Sequence, residues 1–207
     1  CYSMVEIPEG GQYQGAVSGS EKGTFAENYF VSDTLAGINR QSIALLSTVG
    51  QKKTDVMKEK IADINPECSV FTSSAFVLPE NLREVFSSCP VKPDYIIDAI
   101  DTVSAKLALV SYAREEGIPI LSSMGTGNKL DPTRFRISDI SETRVCPLAK
   151  VVRIELRHRG ITDVPVLWSD EDPIVRRRTP ASVSFVPSVA GLLIAGYCIR
   201  RLAGLDR

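Results

Sequence analysis

The run Tyr95-Ile96-Ile97-Asp98-Ala99-Ile100, closed by Pro93 before it and Asp101 after it, constrains the fold of this chain more than any other feature. A short, nearly continuous apolar run reads as a strand covered on both faces, as in a parallel sheet. A helical pattern over Val103–Glu116 follows, burying Leu107 and Val110 and stopping at Gly117 with Pro119 beyond it. A second apolar run, Ile118–Met124, comes next. Two strands joined through a helix cannot form a tight hairpin, so they lie parallel in a β-α-β unit whose crossover is right-handed.

The same alternation runs through most of the chain. Period-3.6 patterns predict helices over Gly50–Ile64, with Val56, Met57, Ile61 and Ile64 on one face, and over Asn81–Ser87 after Pro79. A further helix opens at Pro147 and closes at Gly160, and a last one takes Ser188 as its N-cap. Short strands are expected at Cys68–Thr72, Arg134–Ile140, Val164–Trp168 and near Ser182–Val186. The fold class is α/β: a Rossmann-like, mostly parallel twisted sheet with flanking helices. Residues 1–37 stand apart, because Gly10 to Gly23 is glycine-rich, polar and without period. The expected organisation is an atypical segment over 1–37 and one α/β domain over 38–207.

Composition excludes several function classes. Lys and Arg number 24 against 25 Asp and Glu, a net charge of −1, so the whole chain has no general attraction for nucleic acid or an anionic membrane. Any such binding must come from a local patch. Five widely spaced cysteines without a Cys-x-x-Cys pair support neither a zinc knuckle nor a disulfide framework. No basic leader with a short apolar stretch opens the chain, which makes a reducing cytoplasm the expected setting. The apolar run Val183–Cys198 is too short to span a bilayer alone and is expected to be a buried helix, so no membrane partner is expected.

Candidate chemistry gathers where strands end, because ligands of open parallel sheets collect beyond the strands' carboxyl ends. Asp101 stands at such an end and suits either a magnesium ion bridging phosphate oxygens or the capping of the helix that follows. Arg40, within Asn39-Arg40-Gln41, and Lys53, at the start of a helix, could converge on a polyphosphate; solvated surface charge is the alternative. Lys150, Arg153 and Arg157 share one helical face and, with the loop Arg176-Arg177-Arg178, form the local basic patch that an RNA backbone needs. His158 has no companion at ligand spacing, so no metal is assigned to it.

Taken together, these blocks resemble the adenylating superfamily of ThiF, MoeB and HesA. They are Asn39-Arg40-Gln41, Val49-Gly50-Gln51-Lys52-Lys53, Ile64-Asn65-Pro66-Glu67-Cys68 and Asp98-Ala99-Ile100-Asp101-Thr102-Val103 with Lys106. Three further blocks are similar to one branch, the tRNA threonylcarbamoyladenosine dehydratases: Ser123 to Thr133, Cys146-Pro147-Leu148-Ala149-Lys150 and Pro180 to Pro187. The resemblance spans about Ile38 to Leu202.

The resemblance implies ATP-dependent cyclisation of N6-threonylcarbamoyladenosine in tRNA. The threonyl carboxylate is adenylated, pyrophosphate leaves, and ring closure expels AMP. By motif, Arg40 and Lys53 would be catalytic, stabilising charge on the triphosphate. Asp101 would hold Mg2+, Asn39 and Gln41 would shape the nucleotide pocket, and Lys106 would contact the cofactor. A homodimer is implied as well. The family's strand, Gly-x-Gly-Gly-x-Gly loop and helix have no counterpart at Gly10-Gly11-Gln12-Tyr13-Gln14-Gly15, so the first βα unit is expected to be missing or disrupted and the N-terminus truncated or altered. Two alternatives stay open: adenylation of the C-terminal glycine of a ubiquitin-like sulfur-carrier partner, and an inactive tRNA-binding or dimerisation module.

Overall fold

The computed structural model describes residues 46–48, 50–173 and 182–205. The expected altered N-terminus, Asn39, Arg40, Gln41 and Arg176-Arg177-Arg178 therefore lie outside the described residues. The chain divides into two compact units, Cys1–Ala75 with Pro173–Ser188, and Phe76–Asp172 with Val189–Arg207.

In the first unit a 3₁₀ turn at Leu46–Thr48 precedes helix α1, Lys53–Ile64. Asn65 ends α1 in extended backbone, its N–H donating to the Ile61 carbonyl at 2.8 Å, and Pro66 prevents a further turn. The expected apolar face is only partly realised. Val56 is buried, but Met57 and Ile64 are exposed. Cys68–Thr72 is not a strand, because it finds no ladder partner among the described residues.

The second unit holds the sheet. Helix α2 spans Leu82–Ser87, strand β1 Ile96–Asp98, helix α3 Val103–Glu115 and strand β2 Ile120–Ser123. Strand β3, Phe135–Asp139, helix α4, Pro147–His158, and strand β4, Pro165–Ser169, follow. The strand order is β1-β2-β4-β3. β1, β2 and β4 are parallel, as the crossover pattern requires, and β3 alone runs antiparallel, with Phe135 opposite Ser169. Gly117 and Gly160, at φ +66° and +67°, take the left-handed turns that release α3 and α4 toward their next strands.

The core of this unit joins Leu107, Val110 and Ala113 of α3 to Ala149, Val152 and Leu156 of α4, and both sets to Ile96, Ile120, Val166 and Trp168 of the sheet. Burying one Leu or Val there contributes about 1.5–3 kcal/mol. The strand at Tyr95–Ile100 is shorter than its apolar run and is not covered on both faces. Among the described residues β1 pairs on one side only; Ile97, on the face opposite its neighbours, is 48% exposed, while Ile96 and Asp98 are buried.

Helix α5, Phe185–Leu202, replaces the strand expected near Ser182–Val186. Pro187 falls in its first turn, where a missing N–H costs nothing. Ser188 is thus inside the helix rather than its N-cap, and its hydroxyl donates to the Ser184 carbonyl at 2.7 Å. By length and composition α5 could cross a membrane, with a mean hydropathy of 1.3. It is not the wholly buried helix expected: Ala190, Ile194 and Cys198 form a buried stripe at helical spacing, while Leu192, Ile199 and Leu202 are exposed.

Candidate active site

Because β1, β2 and β4 are parallel, their carboxyl ends make one rim, where ligands of such sheets collect. Asp101 stands there as expected. It follows the end of β1 by three residues, is exposed, and directly precedes Thr102, the N-cap of α3. Thr102 makes no side-chain cap, so the first N–H groups of α3 are free of a side-chain partner from it. A carboxylate in this position can face an incoming cation or polar substrate.

The backbone that presents Asp101 is pinned from below. Asp98 is 1% exposed; one carboxylate oxygen, Oδ1, accepts the Ile100 N–H at 2.9 Å. Its other oxygen, Oδ2, accepts from Lys106 Nζ at 2.8 Å and from Ser122 Oγ at 2.5 Å. Lys106 also lies 3.2 Å from the Ser122 hydroxyl. All three side chains are sealed from solvent, and they tie the end of β1 to α3 and to β2. Lys106, expected at the nucleotide, is instead consumed by this network. Helical side chains lean toward the helix N-terminus, and from the first turns of α3 that direction leads back to the strand end.

The loop after β2 is fastened to the segment after β4. Glu171, 7% exposed, accepts the Leu130 N–H at 2.8 Å and the Asp131 N–H at 3.0 Å on its two carboxylate oxygens. The Lys129 ammonium donates to the Glu171 carbonyl at 2.7 Å. Burial pushes the Lys129 amine below the usual lysine range, opposed by the nearby Glu171 carboxylate. Asn128 turns the chain at φ +59° to make this closure possible. Cys146 is buried at the start of α4, and its Sγ would lie 3.6 Å from a Cβ on Gly125.

Of the other expected site residues, Lys53 is the first residue of α1, exposed, with no side-chain cap at Lys52 before it. Lys150 and Arg157 are exposed on α4, as an RNA-facing stripe requires. Arg153 departs from that stripe: it is half-buried, and Nη1 donates to the Thr143 carbonyl at 2.6 Å and hydroxyl at 2.5 Å, holding the turn ahead of α4. Asp98, Ser122, Lys129 and Glu171 were not singled out by sequence. The available signal was a carboxylate inside an otherwise apolar strand, which has to find a buried partner.

The sequence pattern of the ThiF family matches residues 34–207. The tRNA threonylcarbamoyladenosine dehydratase of Bacillus subtilis (strain 168) is 46% identical over 187 residues, covering 81% of this chain and 72% of that protein. The Escherichia coli (strain K12) protein of the same name is 42% identical over 119 residues, covering 58% of this chain and 43% of that protein. In fold, the chain is similar to the structure of E. coli tRNA N6-threonylcarbamoyladenosine dehydratase, TcdA, in complex with ATP. The TM-score is 0.74 at 31% identity, over 84% of this chain and 73% of that one. With its family pattern spanning most of the sequence and its parallel sheet carrying Asp101 at the rim, the chain belongs to the ThiF family, within its tRNA threonylcarbamoyladenosine dehydratase branch.

Proposed function

We propose that this chain catalyses the ATP-dependent dehydration of N6-threonylcarbamoyladenosine in tRNA through carboxylate adenylation. The observation that carries this reading is the 46% identity to the Bacillus subtilis dehydratase across most of both chains. The threonyl carboxylate oxygen attacks the α-phosphorus of ATP, and the bond to pyrophosphate breaks. Ring closure within the modified nucleoside then displaces AMP, which carries off the carboxylate oxygen, while the ring-closing group gives up its proton.

The chain's own groups suit this chemistry by type. Lys53 brings a cation to the first turn of α1, where the helix dipole itself favours an anion, so a bound phosphate relieves a local excess of positive charge. Arg40 is assigned by motif to the same triphosphate, with Asn39 and Gln41 beside it. Asp101 offers an exposed carboxylate on a pinned loop. Among the described residues no three His, Cys, Asp or Glu side chains gather to hold a metal. Mg2+ commonly binds one or two carboxylates together with substrate oxygens, and Asp101 would supply such a carboxylate. When bound, the ion would neutralise charge developing on the phosphate oxygens. Lys150 and Arg157 would meet the tRNA backbone, and Lys106 acts through Asp98 rather than on the nucleotide. A cytoplasmic homodimer belongs to the same reading, and sedimentation of the purified chain checks the dimer.

The test supplies the full chain with ATP and tRNA bearing N6-threonylcarbamoyladenosine. Loss of one water from the nucleoside by mass spectrometry, with one AMP and one pyrophosphate released per turnover, is expected. Adenylation of a ubiquitin-like carrier without change in the tRNA would replace this reading with the sulfur-carrier one. Tight tRNA binding without turnover would leave the inactive module.

A further inference from the structure

Across the rim from Asp101, the edge strand β3 meets the end of β4. The antiparallel register sets Phe135 against Ser169, which brings Arg136 of β3 and Arg134, at the end of the 3₁₀ turn just before it, beside Asp170. Arg134 Nε donates to Asp170 Oδ1 at 2.8 Å and its Nη2 to the Asp170 carbonyl at 2.9 Å. Arg136 Nη2 reaches Asp170 Oδ2 at 2.8 Å. The carboxylate is sunken, 13% exposed, while the two arginine side chains are 44% and 57% exposed. One anion below holds two cations above it in fixed positions.

We propose that Arg134 and Arg136, held by Asp170, form a seat for the phosphodiester backbone of the substrate RNA. The inference rests on the tRNA reading above and adds a binding site to it. A guanidinium has five N–H donors in a planar fork, so each arginine keeps donors free after binding Asp170. Both are already ordered, which lowers the entropy lost when a phosphate arrives. Arg144 adds to the positive field, being near enough to help hold the Asp170 carboxyl below the usual carboxylate range; hydrogen bonding from Arg134 is the largest cause. Of the acidic groups in these loops, Asp131 and Glu171 are hydrogen-bonded within the loops, while Asp172 is exposed. Asp131 accepts from the Thr133 N–H at 3.0 Å and hydroxyl at 2.5 Å, and Glu171 is taken up by the Leu130 and Asp131 N–H groups.

Position sets this seat apart from Asp101. Three strand spacings lie between β1 and β3, about 14 Å along the rim from Asp101. One triphosphate centred on Asp101 does not extend that far, whereas a polynucleotide laid along the rim passes both points.

The experiment measures binding of tRNA bearing N6-threonylcarbamoyladenosine to the full chain over a range of salt concentrations, with ATP affinity measured separately. Arg136→Gln and Arg144→Gln are the informative variants, because both leave the Arg134–Asp170 pair in place. Arg83→Gln, on α2 and paired with Glu115 at the far end of α3, is the charge-matched control. Arg136→Gln is expected to weaken tRNA binding about three- to tenfold and to flatten the slope of log affinity against log salt by about one unit, with ATP affinity unchanged. Arg144→Gln shifts both in the same direction, and the control shifts neither. Unchanged tRNA affinity and slope in Arg136→Gln would overturn the seat while leaving the dehydratase reading intact. Parallel loss of ATP affinity would overturn it in favour of a polyphosphate contact, and equal effects from Arg83→Gln would reduce it to overall charge. If the unaltered chain binds no tRNA, the functional reading itself fails.

Discussion

Lys106 and Asp98 meet at 2.8 Å with neither side chain exposed to solvent, and through that pair the base of α3 is locked to the end of β1. Removing one partner strands a buried charge, whereas removing both charges strands none. Lys106→Met is expected to cost about 3–5 kcal/mol. The double variant Asp98→Asn/Lys106→Met recovers most of it, since the amide that replaces the carboxylate still offers an oxygen to the Ile100 N–H. Urea unfolding with linear extrapolation measures both, and a double variant no more stable than the single would show that charge compensation is not the source.

Asp101 is exposed on the loop this pair supports, so its carboxylate does little for the fold. Asp101→Ala is expected to change stability by no more than about 0.5 kcal/mol. Turnover of modified tRNA should fall by about a hundredfold to a thousandfold, the effect of losing one well-aimed electrostatic group. Thermal unfolding and AMP release from one preparation separate the two effects; full turnover removes Asp101 from the reaction.

Lys53 makes a prediction of opposite signs. A cation in the first turn of α1 opposes the helix dipole, so Lys53→Gln is expected to leave the protein as stable or more stable, by up to about 0.5 kcal/mol. Its adenylation rate should nonetheless drop by about a hundredfold. Pyrophosphate exchange set beside a denaturation curve makes the comparison, and loss of both together would point to a structural role.

Asp170 links stability to pH. Hydrogen bonding from Arg134 holds its folded carboxyl below the usual range, so its stabilising contribution is complete well above the unfolded carboxylate value of about 3.9. The contribution is lost as pH falls through that value toward the lower folded one. Asp170→Asn should be less stable than the unaltered chain at pH 7, and the gap should close as pH falls below about 4. Unfolding midpoints taken across that range show whether it closes.

Glu171→Ala takes the acceptor from two backbone N–H groups at once. A cost of about 1–3 kcal/mol is expected, with faster amide exchange at Leu130 and Asp131. Exchange confined to other loops would contradict the clamp.

The alternation of apolar runs with helical periods was enough to place β1, α3, β2, α4 and β4 within a few residues of where they stand, because each element buries a face against the next. Asp101 was legible for the same reason, since a polar residue closing a buried strand marks the strand's end. Other features depend on contacts between segments far apart in sequence. The pattern of Arg134–Ile140 announces a strand but not its direction, which its pairing with Ser169 and Pro165 decides. Nothing local says that Lys106 turns inward to Asp98, or that Arg153 spends its guanidinium on Thr143. At Ser182–Val186, β-branched and small residues suggested extended chain, yet Pro187 sits comfortably in a first helical turn and α5 begins before it.

Glu171 joins two loops that are 40 residues apart in sequence, grasping Leu130 and Asp131 with its side chain and Lys129 with its carbonyl. Segments buttoned together in this way swing as a single plate or stay still together. Any opening of this lip must therefore come from hinges outside the fastened stretch, and a substitution that slackens the button would let the halves drift separately.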